Sequence, residues 1–182
     1  VAVPVSADAY AVAEKLRDCL CSALASTIGG PVCQCCVRPG FAPPPADNCC
    51  ACGEGQGQAS VQVSEIYASD KFPRKGIVEW KGACSKGLTI WVAEFTMTVY
   101  RCVATPTEDG VLPTCTQLQD DARKIQEDAG AMMRAFACCD WAPNKRILPG
   151  SWTPLPNQGG CGGGTMNVYA DLGYLCCPAV EG

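Results

Sequence analysis

The stretch PTCTQLQDDARKIQEDAGAMMRAF, residues 113–136, decides how the rest of the chain reads. Leu118, Ala122, Ile125, Ala129, Met132, Met133 and Phe136 recur at intervals of three and four residues, so an amphipathic helix is predicted. Pro113-Thr114-Cys115-Thr116 opens it, and Thr116 and Gln119 stand at capping-box spacing. Asp120/Lys124, Arg123/Glu127 and Lys124/Asp128 pair at i,i+4 on the other face, the pattern of a solvated surface.

Immediately upstream, LTIWVAEFTMTVYRC at residues 88–102 is rich in β-branched and aromatic residues and reads as a strand. Leu88, Ile90 and Val92 share one parity while Phe95, Met97 and Val99 hold the other. That implies a bulge, or burial on both faces, near Ala93 and Glu94. Residues 59–67 alternate through Val61 and Val63 and form a second strand. The connection of about twenty residues between them is long for a hairpin and is a candidate contact loop, carrying Lys71, Arg74 and Lys75.

Downstream, a strand around Arg146 to Leu155 is followed by Gly159-Gly160-Cys161-Gly162-Gly163-Gly164. Met166, Val168, Ala170 and Leu172 then alternate strictly, so residues 145–177 form a strand pair with a Gly-rich turn. At the other end, Val12, Leu16, Cys19, Leu20 and Ala23 mark a first amphipathic helix, with Asp8 in its first turn and Gly29-Gly30-Pro31 as its stop. Residues 31–57 hold five prolines and six cysteines and read as an irregular, cross-linked or metal-bound loop. The order predicts one α+β domain over residues 1–182, with two helices packed on an antiparallel sheet of about four strands.

The 182 residues suffice for a core of ordinary size. Lys and Arg number 14 against 18 Asp and Glu, which lacks the basic excess that phosphate neutralisation requires, so a specific nucleic-acid partner is not expected. There is no histidine, which removes Ser-His and Cys-His nucleophile pairs and every imidazole metal site. The N-terminus has no basic n-region and no stretch suits a membrane span, so neither a secretory leader nor a membrane partner is expected.

The 16 cysteines then need another explanation. Cys33-x-x-Cys36 and Cys49-x-x-Cys52 have the spacing of a four-thiolate zinc site. Cys35 and Cys50 sit inside those pairs, so the same string suits disulfides, the leading expectation, or reduced thiols. Zinc is the only cofactor considered. Cys138-Cys139 and Cys176-Cys177 are adjacent and need partners elsewhere or stay reduced.

No catalytic set is expected. The CxxC pairs follow a helix instead of opening one, the Gly-rich run lacks the Lys-Ser/Thr of a phosphate loop, and Asp120-Asp121 do not converge. Trp91 is assigned to the core, while Trp152, between Pro149-Gly150 and Pro154, is the better interface candidate.

The Cys-bearing first helix, Asp47-Asn48-Cys49-Cys50, Tyr100-Arg101-Cys102-Val103-Ala104-Thr105-Pro106 and Leu148-Pro149-Gly150-Ser151-Trp152-Thr153-Pro154 with the Gly-rich run form a combination. It resembles the Cys-rich neck proteins of tailed phages infecting actinobacteria, most nearly the tail terminator. The element order is similar to the tail-terminator fold as well. The resemblance implies a structural virion protein, assembled in the host cytoplasm, forming a homo-hexameric ring. That ring caps the tail tube, joins it to the head-completion or stopper protein and lets DNA pass. Its closed, heterologous contacts need two different patches on each subunit, for which Lys71, Arg74, Lys75, Trp152, Gly162 and Gly163 are the candidates. A stopper or adaptor of the same neck, a zinc-organised binding module and a secreted disulfide-scaffold binder are the alternatives.

Overall fold

A computed structural model of the chain describes residues 9–40, 49–50, 57–78, 89–143 and 145–173. Asp8, Asp47, Asn48, Cys52, Cys84, Leu88, Cys176 and Cys177, named above or counted among the cysteines, lie outside these residues. The order is α1 (Ala9–Leu24), β1 (Gln34–Val37), β2 (Gln58–Ser69), β3 (Ile90–Cys102), α2 (Cys115–Ala137), β4 (Ile147–Gln158) and β5 (Cys161–Gly173).

The five strands form one sheet in the order β1-β2-β3-β5-β4. β2, β3, β5 and β4 pair antiparallel, whereas β1 adds to β2 in parallel. The sheet is therefore mixed and has one strand more than expected. The missed strand is four residues long and lies within the Cys/Pro segment, where no alternation betrays it.

α1 buries Val12, Ala13, Leu16, Leu20 and Leu24, and α2 buries Ala131, Met132 and Ala135. Both stripes pack on one face of the sheet, through Ala59 and Val61 of β2, Ala93, Phe95, Met97 and Val99 of β3, and Met166, Val168 and Ala170 of β5. Because successive strand residues point to opposite faces, Ser60, Thr96, Thr98, Thr165 and Asn167 line the other face. At one end of that outer face Tyr67, Ile90 and Val92 form a second small core with Phe72 and Tyr169. β3 is thus buried on both faces at its start. The accompanying bulge lies in its neighbour β2, between Val63 and Glu65, opposite Phe95 and Glu94.

The cap of α2 falls two residues earlier than the predicted one. Thr114 is extended at φ −71°, ψ 157°, its hydroxyl accepts from the Gln117 backbone N–H, and the Gln117 side chain accepts from the Thr114 backbone N–H. Pro113 restricts the residue before it and leaves Thr114 free to serve as the cap.

The Gly-rich run has two jobs. Gly159 and Gly160, at φ 55° and 79°, make the two-residue β4–β5 turn, where positive φ at both positions suits glycine. Gly162, Gly163 and Gly164 lie inside β5 and are buried. A Cβ on Gly163 would stand 1.9 Å from the Val99 carbonyl oxygen, and one on Gly164 would stand 2.3 Å from the Trp152 ring.

Candidate functional site

Four cross-links among the described residues tie the two layers together. Cys19–Cys139 joins α1 to the end of α2, and Cys21–Cys35 joins α1 to β1. Cys49–Cys161 and Cys50–Cys102 fasten the adjacent residues 49 and 50 to the ends of β5 and β3. Cys33 is disulfide-bonded too, while Cys36, Cys115 and Cys138 carry free thiols. Cys139, of the vicinal pair 138–139, has its partner on another element, as adjacency requires.

These bonds revise the zinc set Cys33, Cys36, Cys49 and Cys52. Cys33 and Cys49 are committed to disulfides, and a disulfide sulfur has no thiolate to offer a metal. Cys36 keeps its thiol, with the Arg38 Nε donating to its sulfur at 3.5 Å, and Cys52 lies outside the described residues. Among the described residues no group of three or more Cys, Asp or Glu side chains converges as a metal site.

The strongest electrostatic feature is internal. Arg101 sits on β3 with the parity of Met97 and Val99, so it points into the core. Its Nε and Nη2 donate to the two carboxylate oxygens of Asp128 at 2.7 and 2.9 Å. Its Nη1 and Nη2 donate to the carbonyls of Gly29 and Gly30 at 3.0 and 2.9 Å. The side chains of the pair are only 2% and 4% exposed. Gly29 is where space is tightest, since a Cβ there would stand 2.8 Å from the guanidinium carbon. The group joins the turn after α1, β3 and α2, a positioning device with no open approach for a substrate. The signal for it was present in the sequence, as one arginine on the buried parity of an apolar strand.

The described part of the candidate contact loop, residues 70–78, is held against the outer face. Tyr67 Oη donates to the Pro73 carbonyl and Ser69 Oγ to the Arg74 carbonyl, both at 2.7 Å. Lys75 pairs with Glu65 and lies over the Tyr67 ring, so its charge fastens the loop instead of projecting from it. Burial against the second core, with Glu94, Tyr169 and Glu65 nearby, pushes the Tyr67 phenol up to about 12. Lys71 and Arg74 remain exposed, and among the described residues their hydrogen bonds run through the backbone.

The other interface candidates are placed differently. Gly162 and Gly163 are covered on both sides and serve close strand packing. Trp152 packs against the main core, its ring over Gly164, and its Nε1 is buried without a hydrogen-bond partner. Trp91 also packs on the main core. A groove of about 480 Å³ between α1 and α2 is lined by Asp18, Ser22, Ser26 and Arg134, with the Cys19–Cys139 bond and Cys138 beside them. No helix among the described residues is long and apolar enough to cross a membrane.

Sequence reasoning placed Asp128 on the solvated face of α2, where the structure buries it, and missed two sets of exposed aliphatic groups toward opposite ends of β3. One lies in the turn at residues 107–112, where Val111 and Leu112 are 63% and 74% exposed beside Glu108 and Asp109. The other is Ile77, wholly exposed in the candidate contact loop. Isolated apolar residues in polar loops gave no periodic signal. Compared with models of known protein families and with curated proteins, the chain matches none.

Proposed function

We propose that the chain is a structural virion protein of a phage neck, the tail terminator, forming a hexameric ring. It caps the tail tube, joins it to the head-completion or stopper protein, and assembles in the host cytoplasm without enzymatic activity. The observation that carries this reading is the order of the principal elements. Apart from the short added edge strand β1, a helix and two paired strands are followed by a second helix and a second strand pair, with both helices on one face of one sheet. This is the order that the terminator resemblance implies. The use of cysteine supports an architectural role, since the bonds join helix to helix, helix to edge strand and loop to sheet end. A subunit that bears load gains from such cross-links, because they restrict the unfolded chain and pin the layers together.

Native mass spectrometry of the non-reduced protein tests this. A metal-free sixfold species is expected. A monomer carrying one zinc ion would overturn the reading in favour of a metal-organised binding module. In a phage carrying the gene, Lys71→Glu with Arg74→Glu should impair the joining of tails to heads, and normal infectious virions from that mutant would count against the contact loop.

A further inference from the structure

We propose that copies of this chain associate head to tail, the acidic, apolar turn at residues 107–112 of one seating on the basic loop at residues 71–77 of the next. The inference rests on the ring reading for its occupant, a second copy, and on three observations for its geometry.

The first is position. The basic loop leaves β2 at Ser69, the register partner of Ile90 at the start of β3, and the acidic turn follows Cys102 at its end. The two therefore lie toward opposite ends of a 13-residue strand that is itself roughly 40 Å long at the usual rise. A heterologous contact needs two different surfaces on one subunit that do not compete for the same space.

The second is complementarity. Between Val103 and Thr114 the only charged residues are Glu108 and Asp109, both exposed. The facing loop carries Lys71 and Arg74, exposed, against one anion, Asp70. Each patch also presents aliphatic surface to water, Val111 and Leu112 on one and Ile77 on the other. Opposite charges around an apolar centre are the arrangement of an interface, with rim charges choosing the partner and the aliphatic groups supplying desolvation.

The third is that both patches hold their shape. In the turn, Thr107 N–H donates to the Val111 carbonyl, Gly110 N–H to the Thr107 carbonyl, and Val111 N–H to Thr107 Oγ1. In the loop, Arg74 N–H donates to the Lys71 carbonyl and Lys71 N–H to Ser69 Oγ. Segments ordered before contact lose less conformational freedom when they associate.

Charge exchange tests the pairing on the whole, oxidised protein. Lys71→Glu with Arg74→Glu makes both patches acidic, and Glu108→Lys with Asp109→Lys makes both basic. Each double variant alone should associate on the order of a hundredfold more weakly than the parent. An equimolar mixture should restore assembly, with the two variants alternating around the oligomer. Native mass spectrometry reads both results, and circular dichroism confirms that each variant keeps its fold. An oligomer that survives both reversals overturns this contact and leaves the ring reading standing. An open-ended ladder of masses that is sensitive to both reversals supports the contact and overturns the sixfold ring. A parent chain that stays monomeric at every concentration overturns both.

Discussion

Cys102 and Cys161 face each other as register partners across β3 and β5, and each is bonded instead to a residue of one vicinal pair, Cys50 and Cys49 respectively. The two bonds anchor the same two adjacent residues to the same end of the sheet. Cys49–Cys161 alone closes a span of 112 residues, and the 52-residue span of Cys50–Cys102 lies inside it. Replacing the Cys50–Cys102 pair by serines should cost well under half of what replacing all four costs, about 3–5 kcal/mol. Denaturant unfolding without reductant measures this, and additive losses would show that the bonds act independently.

Gly163 and Gly76 make a matched pair for the role of strand glycines. A Cβ at Gly163 would fall 1.9 Å from a backbone oxygen of β3, which cannot move without breaking the ladder, whereas a Cβ at Gly76 meets nothing within 4 Å. Gly163→Ala should destabilise by about 3 kcal/mol or more, and Gly76→Ala by less than about 0.5 kcal/mol. Thermal unfolding of the two variants decides whether the Gly run is structural packing.

Much of this fold was legible because its long elements repeat their period many times. α2 repeats its helical period from Leu118 to Phe136, although the structure buries only Ala129 and Met132 of that stripe and leaves Leu118 and Met133 exposed, and β5 alternates from Met166 to Leu172. β1 was not legible, because four residues next to prolines carry too few repeats, and its parallel pairing depends on β2, which follows a long connection. Gly162 and Gly163 were misplaced for a related reason. Glycine has no side chain to show parity, so a strand built on three of them reads as a turn. The bonded cysteines were expected, but which sulfur meets which depends on a register that sequence spacing does not encode.

Gln62 is fully buried, and neither its amide oxygen nor its amide nitrogen has a hydrogen-bond partner. A buried amide without partners loses its hydration and gains nothing in return. Gln62→Met, of similar length and without the unmet polar atoms, should raise stability by about 1–2 kcal/mol. A lower denaturation midpoint in that variant would mean that the amide supports the fold in some other way.

Asp128 neutralises Arg101 in a setting where neither side chain reaches water. Asp128→Ala should cost about 3–5 kcal/mol, because it removes the carboxylate that two guanidinium nitrogens meet in a buried setting. Replacing both, as Arg101→Met with Asp128→Leu, should cost markedly less than the single change, since no buried charge is then left unpaired. Equal losses in the single and double variants would show that the guanidinium's bonds to Gly29 and Gly30 matter more than its charge balance.

Tyr67 should give the protein a distinct alkaline transition. Its phenol is pushed up to about 12 from an ordinary 10, first by burial and then by the negative charges of its neighbours. Below pH 10 the phenol is protonated in both folded and unfolded chains, so its burial brings no pH dependence there. Between 10 and 12 the unfolded chain has released the proton while the folded chain still holds it, so stability falls as pH rises through this window. The loss reaches about 2–3 kcal/mol by the upper end. Ultraviolet difference titration should show one tyrosine ionising late, and Tyr67→Phe should remove that late phase and flatten the decline in stability. A titration in which Tyr67→Phe leaves the late phase intact would assign it to Tyr100, whose phenol is also raised by burial.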